Sequence, residues 1–194
     1  MMTTKERIIE ESLKLFAVNG YESVSVRTIA AAVGVRDSAL YKHFSSKQAI
    51  FDAIVEQSIE RFKQQYTKVD MEHLNPDNLV DSCMMMFRYQ TRDPWIQYFR
   101  QILIIEQFRN PQMAELYKKI FIDMPIIGQK NIFEELIQAK IMKDKDAYVM
   151  AMELYAPFFL FHTVKENDKT LDKHLRKHVE NFMSNNLNEN MEEN

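Results

Sequence analysis

Ten polar side chains crowd one short stretch of the chain: Ser25, Arg27, Thr28, Arg36, Asp37, Ser38, Tyr41, Lys42, His43 and Lys47. A cation, phenol or hydroxyl at the tip of a side chain can hold a phosphate oxygen, and Arg or Lys can also donate to the edge of guanine. Tyr41 and Lys47 suit phosphate best, the first by reach and the second by adding charge beside the backbone amides that open a helix. Ser25, Thr28 and His43 come next, because each also has a local structural use. Arg27, Arg36, Ser38 and Lys42 can reach base edges. Asp37 has the wrong sign for a phosphate neighbour, so it either accepts from cytosine or pairs with Arg36; the pair is favoured.

The residues between these groups must position them. Ser25 can cap a helix by accepting an orphan backbone N–H, and Val24 with Ile29 has the spacing of a hydrophobic staple. Ile29, Ala30 and Val33 share one face of that helix. Gly34 permits the positive φ that ends a helix sharply, and Val35, Leu40 and Phe44 carry the apolar face into a second helix. Between those anchors the second helix is polar, so its outer side is built for solvent or a partner. The pattern is a helix-turn-helix. Arg36 stands where a small capping residue would serve better, and Asp37 compensates in part through the helix dipole.

Residues Ile8 to about Phe51 resemble the DNA-binding domain of the TetR family of bacterial transcriptional regulators. The matching residues are Ile9, Leu13, Phe16 and Gly20, then Ser25–Val26–Arg27, Ile29–Ala30, Gly34–Val35, Ala39–Leu40–Tyr41, His43–Phe44 and Ser46–Lys47. The resemblance covers about the first quarter of the chain. It implies an all-α fold and a ligand-responsive regulator, a repressor that binds a palindromic double-stranded operator as a dimer. It further implies release by a small-molecule inducer held among the central helices, with Met86, Tyr89, Trp95, Phe99, Phe121, Phe158 and His162 as the candidate lining. The two last helices are implied to pair with their copies as a four-helix bundle about a two-fold axis. A change in the separation and tilt of the two reading heads would then carry the response.

The rest of the sequence bounds this reading. With 46% hydrophobic residues, three Gly and five Pro in 194 residues, the chain is expected to be helical and globular. No apolar run reaches the ~20 residues of a membrane span, and the polar start argues against a signal peptide, so the cytoplasm is expected. Cys83 is the single cysteine and reads as a small buried hydrophobe. Net charge is −3, yet residues 1–50 hold seven Lys/Arg against five Asp/Glu, which puts the positive excess on the helix-turn-helix.

Nine helices and no strand are expected. Thr3 with Glu6, and Ser45 with Gln48, have capping-box spacing. Gly20 ends the first helix, Tyr21 packs against that end, and a long fourth helix runs to about Tyr66 and out of the first domain. Asn75–Pro76, Asp93–Pro94 and Asn110–Pro111 each place a cap before a proline, and Pro125 opens a further helix. Helices from about Asp144 to Lys165, interrupted by a kink at Pro157, and from about Thr170 to Asn186 complete the set; the tail from Asn185 is expected to fray. The division is therefore a helix-turn-helix domain over 1–47 and a helical ligand-binding and dimerisation domain over 48–194. Most aromatic and Met residues between Leu79 and Met124 serve the core, and Arg88 with Arg92 makes a face paired with acids. His162 reads first as a core histidine. His174 and His178, four apart, lack a third ligand, so no metal and no cofactor is expected. No nucleophile–base pair or phosphate loop suggests an enzyme. The alternative function is a helical ligand- or protein-binding module, a coactivator without repressor activity.

Overall fold

The computed structural model describes residues 2–68, 76–162 and 169–188. Its helices are α1 (Thr4–Asn19), α2 (Val26–Val33), α3 (Asp37–Leu40), α4 (Lys47–Tyr66), α5 (Pro76–Arg92), α6 (Pro94–Glu106), α7 (Pro111–Lys118), α8 (Met124–Gln138), α9 (Ala147–His162) and α10 (Lys169–Asn186). A π turn over Lys119–Asp123 joins α7 to α8 without a break, so the described residues form nine helical rods. Pro125 stands in the first turn of α8, where the sequence places the start of a further helix. It lacks the N–H that would bond the carbonyl of residue 121, and the wider π turn lets the chain pass this point while remaining helical. The strandless expectation holds among the described residues, where the sole pairing is an isolated bridge between Met142 and Leu187.

Most helix starts follow their local chemistry. Thr3 and Glu6 form the capping box, with Thr3 N donating to Glu6 Oε2 at 2.7 Å and Glu6 N to Thr3 Oγ1 at 3.2 Å. Asp93 accepts from Ile96 N at 3.0 Å, and Asn110 from Met113 N at 3.2 Å, each just before a proline. The cap of α4 is Ser46, which accepts from Ala49 N at 3.0 Å, rather than Ser45. Gln48 serves a different partner, described below. Asn75 and the expected run of α9 to Lys165 lie outside the described residues. Helix α9 passes Pro157 without interruption; the carbonyl four residues earlier belongs to exposed Glu153, where water can satisfy it.

The chain folds as two compact units, Met1–Lys68 with Arg92–Tyr117, and Val69–Thr91 with Lys118–Asn194. In the first, α1 is packed by α2, α4 and α6 around Ile8, Leu13, Phe16, Ile29, Leu40, Ile54 and Phe99. Helix α4 stays in this unit over its whole length. In the second, α9 packs on α8 and α10 around Met84, Phe133, Met150, Leu154 and Val179. The end of α10 is pinned as far as Asn188, and the rest of the tail expected to fray lies outside the described residues. Asn188 N donates to Ile141 O at 3.0 Å, its side-chain amide to Lys140 O at 2.8 Å, and Lys143 N to Asn186 O at 2.8 Å. No helix of the described residues is long and apolar enough to cross a membrane.

Candidate nucleic-acid interface and ligand cluster

Helix α2 begins at Ser25, whose Oγ accepts from Thr28 N at 3.1 Å and lies 2.8 Å from Thr28 Oγ1. It ends at Gly34, φ 75° and ψ 34°. Gly34 N donates to Ala31 O at 3.1 Å and Val35 N to Ala30 O at 2.9 Å, the paired bonds of a Schellman ending. Arg7 of α1 donates to the carbonyl of Val33, adding a cation where the helix dipole is negative. The turn thus closes with the carbonyls of Ala30, Ala31 and Val33 satisfied, and the direction of the next segment follows from that closure.

Arg36 opens α3 with no side-chain cap, as its type predicts. Helical bonding continues past the four residues of α3: Tyr41 N reaches Asp37 O at 3.0 Å and Phe44 N reaches Leu40 O at 3.1 Å. Leu40 and Phe44 are buried on the inner side. Arg27, Thr28, Arg36, Asp37, Ser38, Lys42 and His43 are exposed, and Tyr41 is 54% exposed. Among the described residues Arg36 and Asp37 form no ion pair, so the favoured pairing is corrected: the uncapped start lets both side chains extend into solvent. Lys5 of α1 joins this surface, with its ammonium 5.7 Å from the Phe44 ring centroid. Nothing local in the sequence singled out Lys5.

Lys47 faces inward. Its ammonium donates to Tyr21 O at 2.8 Å and Glu22 O at 3.4 Å, and stands 4.2 Å from the Tyr21 ring centroid. Tyr21 is held from three other sides. Its ring meets Phe16 at 5.1 Å and Phe51 at 5.3 Å, its hydroxyl donates to Gln48 Oε1 at 2.9 Å, and its N–H donates to the buried Glu106 carboxylate at 2.8 Å. A Cβ at Gly20, φ 82°, would stand 3.1 Å from Glu106 Oε1, so glycine answers both backbone and space. Gln101 of α6 donates to Ala17 O at 2.7 Å. Helix α6 therefore grips the end of α1 and the turn that leads to Ser25. Sequence reasoning missed Glu106; a carboxylate closing the apolar run Ile102–Ile105 is the one signal it offered.

The seven residues expected to line a ligand site divide between the units. Trp95 and Phe99 belong to the first. Trp95 Nε1 donates to Ser58 Oγ at 2.8 Å beneath Arg61, 4.5 Å from its ring, and Phe99 is fully buried. Met86, Tyr89, Phe121, Phe158 and His162 belong to the second. Met86 and Tyr89 are half-buried on α5. Phe158 lies 5.3 Å and His162 5.8 Å from the Phe87 ring, so these three form one aromatic cluster. Tyr155 extends it: its hydroxyl donates to Phe121 O at 2.7 Å and lies 3.4 Å from His162 Nδ1. Phe121 O is the carbonyl that Pro125 cannot serve, which explains why a phenol is buried here. Nothing local in the sequence marks this polar task of Tyr155.

Arg88 pairs with Asp172 at 3.0 Å, the acid-paired face expected of it. His178 lies 3.1 Å from Leu154 O. Among the described residues no group of three or more His, Cys, Asp or Glu could hold a metal ion.

A family model, the bacterial regulatory proteins of the tetR family, matches residues 8–54, the segment from α1 into α4 just described. Over these residues the chain matches the helix-turn-helix of that family. It is 30% identical over 117 residues to the HTH-type transcriptional regulator UidR of Escherichia coli K12, a match that covers 59% of this chain and 57% of UidR. It is 28% identical over 86 residues to IcaR of Staphylococcus aureus strain Newman, a negative transcriptional regulator of the biofilm operon icaADBC, covering 44% of each. The matches to these curated relatives thus span less than two thirds of their length. The structure of Salmonella enterica GusR superposes on 93% of this chain and 95% of its own with a TM-score of 0.67 at 25% identity, so the fold the two share extends beyond the matched segment.

Proposed function

We propose that this chain is a DNA-binding transcriptional regulator of the TetR family, not an enzyme, acting in the cytoplasm as a homodimer. One observation carries the reading: a segment whose apolar side is fully buried presents Arg27, Arg36 and Lys42 outward, with Tyr41 beside them. Ser25, Thr28, Ser38, Tyr41, Lys42 and His43 are assigned to phosphate and base contacts with Arg27 and Arg36, and Lys5 joins them. Asp37 is assigned to accept from cytosine. Lys47 is assigned a positioning role. The division into a reading domain over 1–47 and a ligand-binding and dimerisation domain over 48–194 belongs to the same proposal.

Repression is supported by the named role of IcaR, and a palindromic operator follows from a two-fold dimer. For the dimer face, α9 offers Tyr148, Val149, Met152 and Leu160, all exposed on one side of the helix. The small-molecule inducer would sit at the aromatic cluster of Phe121, Phe158 and His162, flanked by Met86 and Tyr89, and Trp95 and Phe99 would answer to it. The test is fluorescence anisotropy of a labelled duplex against ionic strength. Affinity should fall with a log–log slope of about −0.9 per phosphate contact. A protein indifferent to duplex at low salt refutes the reading, and selection from a random duplex pool would then recover no palindrome.

A further inference from the structure

A second site lies wholly within the first unit, whereas the aromatic cluster belongs to the second. Helices α4 and α7 border a groove of about 890 Å³. Its floor is apolar, with Val55, Ile59, Met113 and Leu116. Its α4 wall carries Asp52, Glu56 and Glu60 at four-residue intervals, so the three carboxylates form one stripe about 6 Å apart along the axis. Like charges at this spacing repel. Lys63 is the single cation lining the groove, and among the described residues it pairs with none of the three. Asp52 accepts from Gln48 Nε2 at 2.8 Å and Glu60 from Gln64 Nε2 at 3.1 Å, both neutral donors that leave the charge uncompensated.

We infer that this groove binds a small organic cation with an apolar body, such as an aryl-alkyl amine. The volume lies in the range of small-molecule sites and is too small for a folded partner. The apolar floor takes the body of the ligand. The carboxylate stripe takes its ammonium, which relieves the repulsion along α4. An anion of the same shape meets three like charges.

The test uses the full chain with three probes of one shape, 4-phenylbutylamine, 4-phenylbutanol and 4-phenylbutyrate, each titrated by calorimetry. The amine should bind at least threefold tighter than the alcohol, and the carboxylate most weakly. Glu56→Gln with Glu60→Gln should weaken the amine by about two- to fivefold per carboxylate and leave the alcohol unchanged, since both side chains are exposed and their removal spares the core. A thermal melt of that variant checks that it is folded. Equal binding of amine and alcohol overturns the inference, as does amine affinity indifferent to the double substitution, or no amine binding at millimolar concentration.

Discussion

Lys47 offers the sharpest test of the interface, because its residue type and its observed contacts point to different roles. Consider Lys47→Met, which keeps the apolar stem and removes the ammonium. The lost bond to Tyr21 O, 2.8 Å from a charged donor, is of a kind contributing about 1.5–3 kcal/mol. The ring contact at 4.2 Å adds about 0.5–1 kcal/mol. Glu22 adds almost nothing, being 4.0 Å away and 71% exposed. Lys47 itself is 22% exposed, so solvent screens part of the gain, and the carbonyl it leaves can recruit water. A net loss of about 1–2 kcal/mol results, or about 2–8 °C in melting temperature for a chain of this size.

The same variant should weaken binding to a labelled duplex at every salt concentration while leaving the log–log salt slope unchanged, because the turn before α2 loosens but no phosphate contact is lost. Lys42→Met is the comparison. Its side chain is exposed and, among the described residues, makes no hydrogen bond or ion pair, so it should reduce the slope by about 0.9 with no change in melting temperature. If Lys47→Met instead lowers the slope by that amount and melts like the parent, the ammonium serves phosphate directly and the inward assignment is wrong.

Gly34→Ala should destabilise the protein by about 1 kcal/mol in urea unfolding, since φ 75° is the sole obstacle and no atom lies within 4 Å of the new Cβ. Gly20→Ala should lose more, because its Cβ also crowds Glu106 Oε1; equal losses would show that the carboxylate yields freely. Burial pushes the Cys83 thiol up to about 12, so it should stay protonated and unreactive toward iodoacetamide at about pH 8 until the chain unfolds, and rapid alkylation of the native protein would contradict its burial. Met152→Glu with Leu160→Glu should shift sedimentation equilibrium from dimer to monomer without loss of helicity; a dimer that survives both charges does not use that side of α9.

What could be read in advance was settled by range along the chain. The ends of α1 and α2 and the starts of α6 and α7 were legible because their hydrogen bonds join residues within five positions, as at Thr3–Glu6, Ser25–Thr28, Gly34 with Ala30 and Ala31, and Asp93–Ile96. Residue type there is nearly the whole physics. The choice between Ser45 and Ser46 as cap was not legible, since either hydroxyl suits the role and Gln48, the other half of the expected box, is drawn away by Tyr21. Lys47 reads as a phosphate ligand until Tyr21, twenty-six positions earlier, is brought beneath it. Glu106 reads as a surface charge until a turn eighty-five positions away presents an amide that needs an acceptor. Tyr155 reads as apolar until Pro125 leaves the Phe121 carbonyl without its helical donor. In each case the polar end of a side chain is drawn to an unmet backbone need elsewhere, because an unpaired backbone group in the interior costs about 1–3 kcal/mol and the side chain's hydrogen bond recovers it. The exposed cations of α2 and of the segment after Gly34 meet no such need, and that is why their outward direction could be inferred from residue type and the inward one of Lys47 could not.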